Sequence, residues 1–150
     1  MTFEEMIEKD GFLAYTCHGI SMLPLLRAEK DVVVIEKIRR PLRKYDAVLF
    51  RREEDADEGK YVLHRILRVY GDGSYFIIGD NCYNGEIVRE ENILGILTSI
   101  RRGERTIRCE GNFPYALSVR IWRMLFPIRR IREPLRRAGS CVKRRILRIR

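Results

Sequence analysis

Metal-binding clusters are missing from this chain. Its four cysteines (Cys17, Cys82, Cys109 and Cys141) are far apart, with no Cys-x-x-Cys pair, and only two histidines, His18 and His64, accompany them. This spacing argues against a structural zinc site and forces no disulfide framework, so reduced thiols, no metal and no other cofactor are expected. Long apolar runs are also missing, because no stretch approaches the 18 or so uninterrupted apolar residues of a bilayer-crossing helix. The opening Met1-Thr2-Phe3-Glu4-Glu5 is acidic where a secretory leader is basic and then apolar, so a cleaved leader is not expected. There are no internal repeats.

Acidic residues are scarce in one part only. Residues 1–111 hold 18 Lys/Arg against 20 Asp/Glu, whereas residues 112–150 hold 12 against one, so the net charge of +9 sits in the tail. A one-sided basic segment of this kind suits an anionic surface, either phospholipid or nucleic acid. The chain is about one domain long and is large enough to bury a core without staples.

Thr2 with Glu5 three residues on forms a capping box, Phe3, Met6 and Ile7 make one apolar face, and Gly11 is a stop; a short opening helix follows. From Phe12 to about Arg108 the pattern becomes alternating or β-branched: Val32–Ile35, Ala47–Phe50, Tyr61–Tyr70, Tyr75–Ile78 and Ile93–Ile100. Turn residues separate these runs at Arg39-Arg40-Pro41, Lys44-Tyr45-Asp46, Glu53 to Gly59 and Gly71-Asp72-Gly73. After Gly111-Asn112-Phe113-Pro114, Leu117, Ile121, Met124, Leu125, Ile128 and Ile131 recur at helical spacing, with Pro127 and Pro134 segmenting the helix. The expected architecture is a mostly-β domain over 1–111, with a short N-terminal helix, followed by a basic amphipathic helical tail over 112–150.

Three residues in order supply the chemistry of nucleophilic catalysis. A serine hydroxyl needs a base within hydrogen-bond reach and a third group to orient that base. Ser21 stands in Gly19-Ile20-Ser21-Met22-Leu23-Pro24, His64 in the strand Tyr61-Val62-Leu63-His64-Arg65-Ile66, and Asp80 in Gly79-Asp80-Asn81. Read singly, each has a plain structural explanation: a turn serine, a half-buried strand histidine and a turn aspartate. His18, three residues before Ser21, is a second candidate base, but an odd offset along an extended strand is expected to turn it away from Ser21.

Taken together these stretches resemble the S24/S26 serine peptidases, the group of the type I signal peptidases and the LexA-type self-cleaving repressors. Gly19 to Leu26 is similar to the nucleophile box, Lys44 to Phe50 to the strand that usually begins Gly-Asp-x-Val, with Tyr45 in the glycine's place, and Ile77 to Asn81 to the Gly-Asp-Asn box. The resemblance covers roughly residues 12–105. A histidine where bacterial signal peptidases and LexA-type proteins carry lysine looks like the Ser/His branch, which implies a signal-peptidase/LexA-like β domain and a signal peptidase-like serine endopeptidase acting on signal-peptide-like or membrane-proximal segments. In that reading Ser21 attacks, His64 exchanges the proton, and Asp80 orients His64, with Glu86 as the rival for the third role. Met22, Pro24, Asp46 and Asn81 would support the nucleophile turn and the substrate groove. Family members often carry a serine two residues before the nucleophile, and here Gly19 stands there, so oxyanion stabilisation falls on backbone N–H groups such as that of Ser21 and a slower enzyme is implied. Two other readings stay open: a catalytically silent module that binds an extended peptide by strand addition, and a LexA-type self-cleaving regulator, for which Ala138-Gly139 resembles a cleavable dipeptide.

Trp122 and Phe126 lie on the tail's apolar face among Arg120, Arg123, Arg129 and Arg130, a composition that fits an interfacial helix on anionic lipid. The expected partners are therefore a polypeptide substrate and an anionic membrane surface, met peripherally from the cytoplasmic face where arginine-rich segments stay. No nucleic-acid reading motif is present, so nucleic acid is not expected as a partner.

Overall fold

A computed structural model describes residues 2–52 and 60–130. The acidic segment 53–59, Pro134, the Ala138-Gly139 bond and Cys141 lie outside the described residues. The chain divides into two compact units, 1–119 and 120–150.

The first unit opens with helix α1 (Phe3–Asp10), capped as its sequence dictates. The Thr2 hydroxyl accepts from the Glu5 N–H, the Glu5 carboxylate accepts from the Thr2 N–H, and Gly11 closes the C-terminus. Eight strands follow: β1 (Phe12–Thr16), β2 (Asp31–Glu36), β3 (Ala47–Arg51), β4 (Tyr61–Val69), β5 (Ser74–Ile78), β6 (Glu86–Arg89), β7 (Ile93–Arg102) and β8 (Arg105–Arg108). They form one antiparallel sheet in the order β1-β2-β7-β3-β4-β5-β6, with β8 on the second half of β7. The mostly-β architecture read from the alternating runs is therefore present.

The sheet is covered on both faces. Along β3, Ala47 and Leu49 belong to one core cluster and Val48 and Phe50 to the other, which is why this strand is continuously apolar. In β2, by contrast, Val33 and Ile35 are fully buried while Val32 and Val34 are half-buried. Each fully buried aliphatic of this kind stabilises the fold by about 1.5–3 kcal/mol.

Two features of the sheet matter for the site. Strand β4 pairs with β3 over residues 61–65 but with β5 only from Arg65 onward. Among the described residues, the stretch 61–64 is thus paired on one side only, and His64 sits at the end of that one-sided edge. A part-buried ion pair also pins a connection: Asp31, fully buried, accepts from Arg102 at 2.6 Å and from the Arg27 N–H at 2.9 Å, fixing the loop that follows the Ser21 turn.

Helix α2 (Phe113–Met124) begins within the Gly111–Pro114 stretch after which the helical spacing is expected to start, because Asn112 caps it through its Oδ1, which accepts from the Tyr115 N–H at 3.0 Å. Its first turns belong to the β unit, where Val119 is buried. In the second unit the helix breaks at Leu125 and resumes over 126–130. Pro127 has no N–H to continue the ladder, which accounts for the break.

Candidate functional site

Ser21 lies in a turn closed by residues of the Gly-Asp-Asn box. The Asn81 N–H donates to the Ser21 carbonyl at 2.7 Å, and Asn81 Nδ2 donates to the Ile20 carbonyl at 3.1 Å. Met22, buried in the first core cluster, anchors the same turn from inside, and exposed Pro24 follows a cis peptide bond in it. Gly79 provides the meeting point. A methyl placed on its Cα would lie 2.8 Å from the Ser21 carbonyl oxygen, 3.0 Å from His64 Nε2 and 2.7 Å from Cys82 Sγ. Only a bare Cα lets these groups converge, so the glycine of that box is a packing requirement.

An open groove of about 840 Å³ runs past this point, lined among others by Tyr15, Ser21, Tyr61, His64 and Asn81. Its size is that of a ligand cleft. The one-sided edge of β4 borders it through Tyr61, Val62 and Leu63. Phe3 from α1 stacks on Tyr61 at 4.7 Å and lies 5.3 Å from Tyr15, adding an aromatic wall that sequence patterning did not reveal. His18 is exposed and lines the same groove. The expectation that it faces away rested on strand alternation, which the left-handed Gly19 (φ +82°) interrupts.

His64 is buried with 9 % of its side chain exposed, and its Nδ1 has no hydrogen-bond partner. Burial drives its pKa down from 6.5 to about 4, helped by Arg52 and opposed by the carboxylates of Glu86 and Asp80. The imidazole is therefore neutral at pH 7, the form that can accept a proton.

The two candidate carboxylates are used differently. Asp80 is fully buried and receives a fork from Arg65, Nε to Oδ1 and Nη2 to Oδ2, both at 2.8 Å. Arg65 is itself 1 % exposed; burial opposes its charge, but Asp80 and Tyr115 more than offset this and raise its pKa further. Its Nη1 donates to the Tyr45 carbonyl at 2.8 Å. Both oxygens of Asp80, the residue expected to orient His64, accept from Arg65, which the alternation of side chains along β4 turns away from His64. Glu86, the rival, places Oε1 3.8 Å from His64 Nδ1. The register explains its approach, since Glu86 stands opposite Ile77 on β5, one position along from Ile78, which pairs with Arg65 on β4.

Asp46, also expected at the groove, is elsewhere. It accepts from Arg40 at 2.8 Å and from the Arg43 N–H at 2.7 Å, holding the turn that enters β3. Tyr45 in that turn has φ +77°, the left-handed region, at the place where the resembling families carry glycine. Arg52, which the sequence did not single out, forks onto Glu86 with Nε to Oε2 at 2.9 Å and a second bond from Nη2 to Oε1.

In the second unit, Ile121, Met124, Leu125 and Ile128 are exposed at helical spacing. The Arg129 guanidinium lies 3.7 Å over the Trp122 ring, and Arg123 lies 4.6 Å over Phe126. Arg120 and Arg130 are exposed. No helix among the described residues is long and apolar enough to cross a membrane.

Comparison with known proteins assigns no family: no family model matches the chain, and no curated protein sequence matches it significantly.

Proposed function

We propose that the chain is a serine endopeptidase of the signal-peptidase type that cleaves an extended polypeptide laid along residues 61–64 of β4. The observation that carries this reading is the convergence of the Ser21 backbone carbonyl and His64 Nε2 on Gly79, in a groove lined by both residues and bordered by a strand that is paired on one side among the described residues. An extended chain gains main-chain hydrogen bonds on such an edge. Ser21 Oγ attacks the scissile carbonyl carbon while its proton passes to His64 Nε2. The imidazolium then protonates the departing amine, leaving an acyl ester on Ser21. Water, deprotonated by His64, releases the acid and restores the serine. Glu86 faces Nδ1 and is the carboxylate suited to stabilise the imidazolium. The apolar and aromatic lining of the groove suits the apolar segments of signal-peptide-like substrates.

His64→Ala separates this reading from that of a silent peptide-binding module. A peptidase loses turnover on signal-peptide-like substrates while still binding them. Equal cleavage by both proteins contradicts His64 as the base, and no cleavage together with retained binding by both favours the binding module.

We also propose that residues 120–130 dock the protein peripherally on anionic lipid, with Ile121, Met124, Leu125 and Ile128 in the acyl boundary and the arginines at phosphates. Arg120→Glu with Arg130→Glu reverses two exposed charges that contribute about 1 kcal/mol each, so sedimentation with vesicles containing phosphatidylglycerol should fall by about tenfold or more. Equal sedimentation of wild type and variant, or equal binding to neutral vesicles, contradicts the docking.

A further inference from the structure

One carboxylate oxygen at the site faces two donors. Glu86 Oε1 takes a hydrogen bond from Arg52 Nη2, while His64 Nδ1 lies 3.8 Å from the same atom. That distance exceeds hydrogen-bonding range, and Nδ1 is buried without any partner. Arg52 follows β3 directly and Glu86 opens β6, so the fork is a contact made only by the fold. Arg52 also lines the groove, facing the same space as Ser21 and His64.

We infer that Arg52 is a positioning residue that holds the Glu86 carboxylate just beyond the reach of His64 Nδ1, so that the Ser21-His64-Glu86 relay is open at its third link and closes when the fork is loosened. The other groups around His64 do not supply this link. Asp80, from the loop after β5, has both oxygens on Arg65. Cys82 Sγ lies at the Gly79 contact that it shares with Nε2, and makes no hydrogen bond to Nδ1. The Phe50 ring, 6.1 Å away, offers no acceptor. The catalytic meaning of the inference rests on the peptidase reading, but the fork and the open link can be measured without turnover.

The test is nitrogen-detected NMR of the His64 ring in the full chain. Arg52→Lys keeps a positive charge but cannot form the fork. In that variant the Nδ1 proton should acquire the downfield position and slow exchange of a hydrogen bond, and the His64 titration midpoint should rise by about one pH unit or more. Both changes should vanish in Arg52→Lys combined with Glu86→Gln. If the lysine variant does not fold, Arg52→Gln reads the same hydrogen-bond signature. A wild-type Nδ1 proton already bonded, a signature unchanged by loss of the fork, or one that persists without Glu86 overturns the inference. Because none of these readouts needs a substrate, failure here is distinguishable from failure of the peptidase reading.

Discussion

Arg65→Ala is expected to destabilise the protein by about 3–5 kcal/mol, the usual cost of breaking a buried ion pair from one side. Arg65 and Asp80 are 1 % and 0 % exposed, and removing the guanidinium leaves a carboxylate in the core without its ion-pair partner. Single domains have only about 5–15 kcal/mol in total, so the thermal midpoint should fall by about 10 °C or more. The damage also reaches the site, because Asp80 lies between Gly79, against which the Ser21 carbonyl and His64 Nε2 pack, and Asn81, which straps the Ser21 turn. Replacing both partners, Arg65→Met with Asp80→Leu, should recover much of the loss, since no charge is then stranded. Thermal and urea unfolding followed by circular dichroism read both variants. A single variant within about 1 kcal/mol of wild type would show that the pair is not what holds this turn.

The second large effect is on pH. His64 has its pKa lowered to about 4 by burial, against 6.5 in the unfolded chain, so the folded protein declines a proton that the unfolded chain takes up. Stability from this group is complete above pH 6.5 and is lost progressively as pH falls toward 4, by on the order of 3 kcal/mol. Urea unfolding at pH 7 and at pH 4.5 measures the loss in wild type. In His64→Gln the carboxylates still titrate but this contribution is absent, so the wild type should lose about 2 kcal/mol more than the variant across that interval. The same ionisation governs the proposed base: cleavage should persist through pH 5, where an ordinary histidine is already charged, and fail as pH drops through about 4. Parallel pH dependences of unfolding in the two proteins would contradict the burial of a neutral His64.

Local signals carried much of the fold. The capping box of α1 and the β-branched runs of β2, β3, β4, β5 and β7 reflect short-range chemistry, and they appear where Thr2, Glu5, Val33, Leu49 and Ile77 imply. The four- and five-residue strands β1, β6 and β8 had no comparable signal, because pairing with β2, β5 and β7 makes them strands and their own sequences are partly polar. At the site, Ser21, His64 and the Gly-Asp-Asn box were legible as an ordered set. The use of each carboxylate was not. A residue beside His64 in a strand must face the other side, so Arg65 was bound for the interior and needed an acid there, but only the β4–β5 register identifies Asp80 as that acid. Register likewise brings Glu86 to His64, and Arg52 to Glu86 across 34 residues. Gly19 carried the missing clue for His18, since a left-handed glycine resets the alternation on which its orientation was inferred.

The most direct test of the proposed chemistry is mass spectrometry of signal-peptide-like substrates with small residues before the scissile bond, incubated in vesicles with wild type and with Ser21→Ala. Site-specific products that form with wild type and are absent with Ser21→Ala are the predicted result. Products identical in the two reactions would contradict the assignment of Ser21 as the nucleophile.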